Sequence, residues 1–99
     1  MSTKTVTIQP ADMIRNLDGG VMQMDEKDLS VKRAIALILV TKPSQTDPLR
    51  AYLLGKRFVE NTDQPIELDG SEVDFIEKSV RGFEGFNALV LGQILEKLQ

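Results

Sequence analysis

Hydrophobic positions recur along this chain at spacings that change from segment to segment, and each spacing predicts an element. Val6 and Ile8 alternate with threonines, which is the period of a half-buried strand. Pro10 follows closely and places that strand at a sheet edge. Pro10 also suits the first position of a helix, and Met13, Ile14 and Leu17 share one side of a short helix over residues 10–17. Asp18-Gly19-Gly20 tolerates positive φ, so a hairpin pairing residues 13–17 with 21–24 is the alternative. The short helix is the reading adopted. Residues 25–28 are all charged and read as a loop.

From residue 31 to residue 40 apolar side chains fall nearly all round a helical projection. A helix of that kind is buried on every side, so it is taken as the central helix. Ser30 caps it, Leu29 and Ala34 sit at staple spacing, and Pro43 stops it near Lys42. Residues 42–46 read as a polar loop. Asp47-Pro48 then starts a second long helix, with Asp as cap and Pro at the first helical position. This helix has two apolar faces to about Asn61. Leu49, Tyr52, Leu53 and Val59 form one, and Ala51, Leu54 and Phe58 form the other. Residues 61–65 connect to an extended Ile66–Leu68. Asp69 and Glu72 stand at capping-box spacing with Leu68 and Val73 as staple, and Val73, Ile76 and Val80 line the helix they start. Gly82 ends it. After Phe83-Glu84-Gly85-Phe86, a last helix runs from about Asn87 to Leu98 with Val90, Leu91, Ile94, Leu95 and Leu98 on a wide apolar face. The predicted fold is mostly α: four to five short helices packed as a small orthogonal bundle with a short N-terminal β element, in a single domain over residues 1–99.

Composition narrows the chemistry more than the fold. At 99 residues the chain is the size of one domain. It has no cysteine and no histidine. Disulfides, thiol nucleophiles, thiolate metal sites and the commonest general base near neutral pH are therefore missing, and no cofactor or metal is expected. The net charge of −3 carries no basic footprint for nucleic acid. The longest apolar run, residues 34–40, is far short of the roughly 20 residues of a membrane span. The opening Met-Ser-Thr-Lys-Thr-Val-Thr lacks an apolar signal region, so a cytoplasmic location is expected.

Several motifs invite chemistry and do not carry it. Gly55-Lys56 resembles the end of a phosphate-binding loop, but Arg50 stands where the first glycine is needed and Arg57 where the hydroxyl is needed. Residues 69–74 have oxygen ligands without the alternating spacing of a calcium loop. Surface carboxylates in this number show no pair marked out as acid and base. The acidic stretch itself is unusual in its length. Glu60, Asp63, Glu67, Asp69, Glu72, Asp74 and Glu77 lie within 18 residues that contain no Lys or Arg. They read either as a solvated face with capping acids or as a patch that draws a basic partner.

The other candidate is surplus apolar surface. Phe75 lies about 200° round its helix from Val73, and Leu54 and Phe58 oppose Leu49 and Leu53. A partner surface is therefore placed on Leu54, Phe58, Phe75, Phe83 and Phe86, with Glu67, Asp74 and Glu77 at its rim.

Residues 7–20 (TIQPADMIRNLDGG), 34–39 (AIALIL), 66–80 (IELDGSEVDFIEKSV) and 88–98 (ALVLGQILEKL) occur in an order that resembles small tailed-phage and prophage proteins of about this length. The resemblance covers most of the chain and rests on caps, turns and apolar faces. It implies no catalytic residues. It implies a host-cytoplasm or virion setting and roles such as inhibitor, assembly chaperone or minor virion part. The expectation is a non-enzymatic phage or prophage protein that occludes a host protein. The alternative is an assembly or structural protein that self-associates. The partner is a host or phage protein, with no nucleic acid and no membrane.

Overall fold

The computed structural model describes residues 5–41, 47–60 and 63–99. Strand β1 is Val6–Ile8, β2 is Gln23–Met24, β3 is Lys27–Asp28 and β4 is Ile66–Leu68. Helix α1 is Val31–Thr41, α2 is Pro48–Glu60, α3 is Gly70–Arg81 and α4 is Ala88–Lys97. The fold is thus mostly helical with a short N-terminal β element, as the hydrophobic pattern predicts. The expected helix stop at Lys42, the loop over residues 42–46 and the connector at residue 61 lie outside the described residues.

Helix α1 is the centre. Val31, Ala34, Ile35, Ala36, Ile38 and Leu39 are all buried, and the helix packs on α2 while also meeting α3 and α4. Ser30 Oγ accepts from the Arg33 N–H at 3.0 Å and caps its first turn. The α1–α2 approach depends on Gly55. A Cβ there would lie 2.7 Å from Val40 Cγ1, so a side chain at 55 would push the helices apart or turn Val40 away.

Strands β1 and β4 pair antiparallel, with Val6 opposite Leu68 and Ile8 opposite Ile66. Val6, Ile8, Ile66 and Leu68 face the core while Thr7 and Glu67 face out. Leu68 leads directly into α3 through the capping box. The Asp69 carboxylate accepts from the Glu72 N–H at 2.8 Å, and Glu72 Oε1 accepts from the Asp69 N–H at 3.0 Å. Asn87 caps α4 in the same way, accepting from the Val90 N–H at 3.2 Å.

Two expectations are corrected in the segment before α1. Residues 10–17 are not a helix: the hairpin alternative is the fold. Arg15 bridges Val21 and Met13 bridges Ser30. Gly19 takes φ of 93° in the turn, where Asn16 O accepts from the Gly19 N–H at 2.9 Å. Pro10 belongs instead to a turn in which the Asp12 N–H donates to Gln9 O at 3.1 Å. Residues 25–28 are likewise not a plain loop. Asp25 and Glu26 have φ of 53° and 65°, the two left-handed residues of a type I′ turn, and they join β2 to β3. The three extended pieces lock together through one closed ring of backbone bonds. Ile14 N–H donates to Leu29 O, Leu29 N–H to Met22 O, and Met22 N–H to Ile14 O, each at 2.8 Å. Ile14 and Leu29 are fully buried beneath that ring.

Helix α4 closes the edge of this unit. The Gln93 amide pairs with the backbone of Arg15 in both directions, accepting from its N–H and donating to its carbonyl at 2.8 Å each. One side chain thus supplies a rung that a neighbouring strand would otherwise make.

Candidate interaction surface

Helix α2 decides where the surface is. It is started by Asp47, whose carboxylate accepts from the Arg50 N–H at 3.0 Å, and by Pro48 at the first helical position. Its inner side is Ala51, Leu54, Gly55 and Phe58. The two small residues let α1 come close, and the large ones fill the space on either side. Leu54 and Phe58 are 5% and 1% exposed. Their assignment to a partner surface is therefore corrected: they are core. The outer side is Leu49, Tyr52, Leu53 and Val59, each more than half exposed.

The three other phenylalanines assigned to a partner surface are partly buried and pack against the core. Phe75 is half-buried against the core, and the Arg50 guanidinium stacks 4.9 Å from its ring centroid. Phe83 and Phe86 are also half-buried and pack on each other with centroids 5.4 Å apart. Glu67 and Asp74 are exposed and Glu77 is half-buried. Within the acidic stretch, Asp69 and Glu72 are occupied by the capping box. Glu72 also pairs with Arg57 at 2.6 Å, while Arg57 donates to Glu67 O at 2.7 Å. Part of the stretch therefore serves to start α3 and tie it to α2.

The outer side of α2 is a continuous stripe. Leu49, Tyr52, Leu53, Lys56 and Val59 recur three to four residues apart and share one face. Val40, at the end of α1, is also more than half exposed and lies against Gly55, which extends the apolar area across the helix pair. The outward face is thus Leu49, Tyr52, Leu53 and Val59, and not the expected Leu54 and Phe58. The legible signal was the pair Ala51 and Gly55, small residues on one face of an otherwise bulky helix.

Two grooves flank the stripe. One, of about 420 Å³, runs between Leu49, Leu53 and the start of α3 at Asp69 and Ser71. The other, of about 500 Å³, lies on the far side, over α1 between α2 and the β2–β3 hairpin. Lys32 lines this second groove, although only 3% of its surface is exposed. Its ammonium donates to Gln64 O at 2.6 Å. Burial pushes the Lys32 pKa below its usual value, and the Asp63 carboxylate partly holds it up.

The chain matches no protein-family model, no curated protein and no solved structure. Among the described residues, no helix is long and apolar enough to cross a membrane. Nor do three acidic side chains gather into a cluster that could hold a metal ion. What the surface offers is apolar area on the outer side of α2, with Lys56 within it.

Proposed function

We propose that this chain is a non-enzymatic protein-binding domain that works by covering part of another protein's surface. In the phage or prophage setting implied by the resemblance above, the covered protein belongs to the host. The observation that supports this reading is the outer stripe of α2. Four large apolar residues on one helix face are each more than half exposed. Isolated exposed leucines are ordinary, whereas a contiguous patch of roughly several hundred Å² on a monomer marks an interaction site. Tyr52 suits the centre of such a contact, because its ring adds area at low entropic cost while its hydroxyl stays wet.

The test is Leu53→Glu. Because Leu53 lies outside the core, the variant retains its urea midpoint within about 0.5 kcal/mol equivalent. It loses association with the partner recovered from host cells, whereas Asp74→Ala retains it. Sedimentation velocity of the protein alone separates the readings. A wild-type monomer that still captures one host factor supports occlusion. A wild-type oligomer that Leu53→Glu converts to monomer supports self-association instead. If the wild type neither self-associates nor retains any protein through this face, the binding role is wrong.

A further inference from the structure

Strand β1 has a neighbouring strand on one side only, where β4 lies. Along an antiparallel pair, successive residues turn their N–H and C=O groups alternately toward the partner strand and away from it. The Gln9 N–H goes to Asp12 Oδ2 at 2.8 Å and the Asp69 N–H to Glu72 Oε1 at 3.0 Å, so neither joins the β1–β4 ladder. Val6 with Leu68 and Ile8 with Ile66 are therefore the hydrogen-bonded pairs. Glu67, opposite Thr7, turns its carbonyl outward, where Arg57 Nη2 donates to it at 2.7 Å. Thr7, and Thr5 just before the strand, direct their N–H and C=O groups away from β4. Among the described residues neither makes a hydrogen bond on that side, and both are exposed.

Other extended edges of the molecule are met by the chain itself. Arg57 reaches β4 at Glu67, and Gln93 takes both backbone groups of Arg15. The pieces around Ile14, Met22 and Leu29 close on one another. Strand β1 is short, which limits how strongly it can pair, but residues 5–8 are Thr-Val-Thr-Ile, with no charge or proline to prevent pairing. An open edge specifies what fits it, namely another extended backbone. Two strands alone are marginal, and a further strand adds stability.

We propose that β1 pairs antiparallel with β1 of a second copy of this chain, about a two-fold axis at Val6, to give a continuous four-stranded sheet. In that register the Thr5 N–H donates to the carbonyl of Thr7 in the second copy, whose own N–H donates to Thr5 O. The two-fold repeats both bonds. Each outward group of the open edge is then used. The side chains of Thr5 and Thr7 stand opposite one another, a favourable cross-strand pair, and no like charges meet within the paired segment. The contact is small, so the dimer is weak, with Kd on the order of 0.1 mM. It goes beyond the occlusion reading and does not use the α2 stripe, because Arg57 ties α2 to the opposite edge of the sheet.

The experiment uses the full chain. Sedimentation equilibrium from about 10 µM to about 1 mM should show a monomer–dimer equilibrium. In ¹⁵N spectra over the same range, the amides of Thr5, Val6 and Thr7 should shift with concentration. Exchange of the Thr5 and Thr7 amides should slow as the dimer forms. Thr7→Pro removes an outward N–H and no bond of the β1–β4 ladder, so it should weaken the dimer at least about tenfold while the amide spectrum of the rest of the chain is retained. Thr5→Pro makes the same test before the strand begins, so the outcome does not hang on the folding of one variant. Thr7→Val keeps the backbone edge and should keep the dimer. A mass independent of concentration up to about 1 mM would overturn the proposal. So would a dimer that survives both proline variants. Leu53→Glu should leave this dimer intact; if it instead yields monomer and the shifts fall on Leu49 and Leu53, self-association belongs to α2 and the β1 pairing is wrong. Capture of a host protein by a chain that stays monomeric leaves the occlusion reading standing and removes only the β1 pairing.

Discussion

Phe58 and Tyr52 lie on the same helix with opposite roles, and truncation separates them. Phe58 is 1% exposed and Tyr52 is 55% exposed. Phe58→Ala should cost about 3–5 kcal/mol in urea denaturation, the range for emptying a buried aromatic site. Tyr52→Ala should cost less than about 1 kcal/mol. Reversed magnitudes would mean that α2 faces the other way. Lys32 supports a pH prediction. Its ammonium is desolvated in the folded chain and only partly compensated by Asp63, so its folded pKa lies below 10.5. Between the lowered value and 10.5 the unfolded chain binds the extra proton, so stability from this group rises with pH across that window. The penalty is complete below the lowered value and gone above 10.5. Urea titrations of wild type and Lys32→Met at pH 8 and 10.5 should show the wild type gaining on the variant. A constant difference would show that Lys32 is solvated in the native state.

At the scale of elements, the molecule joins two kinds of local structure that differ in how they are specified. Helices α3 and α4 begin at side-chain caps a few residues long, and their starts follow from Asp69, Glu72 and Asn87. The β2–β3 hairpin uses Asp25 and Glu26 at left-handed φ; Asp is a usual first residue of such a turn, whereas Glu26 stands where glycine is usual. An L-residue in that region costs about 1–2 kcal/mol, so the hairpin exists because its surroundings over-determine it. Its strands are continued at their outer ends by the ring of bonds among Ile14, Met22 and Leu29. Glu26→Gly should therefore stabilise the chain by about 0.5–1 kcal/mol, after allowing for the greater freedom of glycine when unfolded. In thermal denaturation this appears as a rise of several degrees in Tm. A fall would mean that residue 26 is not left-handed in the native state.

For the whole molecule, the radius of gyration is 12.7 Å, close to the roughly 13 Å of a compact domain of this length. Burial takes in most of α1 and the inner side of α2, and leaves Val40 and the outer side of α2 exposed. A chain this small has much surface for its volume, and one helix keeps an apolar outer side. The stripe from Leu49 to Val59 and the groove beside it lie on that uncovered side. Loss of association in Leu53→Glu with little loss of stability is thus a statement about the whole molecule: its core is complete without that face.

Much of the architecture was legible from residue order alone, and the part that was legible is local. Ser30, Asp47-Pro48 and Asp69 with Glu72 start helices through bonds spanning three residues. The apolar composition of α1 placed most of that helix in the core, although Leu37 is only half-buried and Val40 is exposed. Alternation put Val6 and Ile8 in a strand. The structure decided what local rules leave degenerate. Residues 10–17 fit a helix or a hairpin, and the choice went to backbone partners at Leu29 and Ser30 and to Gln93, 78 positions from Arg15. Both faces of α2 are apolar, and periodicity alone ranks neither. The face with Ala51 and Gly55 turned inward because only there can α1 approach closely enough to enclose Phe58. Caps and periods act within a turn or two of helix, whereas which side of an element meets the core depends on shapes brought together from distant parts of the chain.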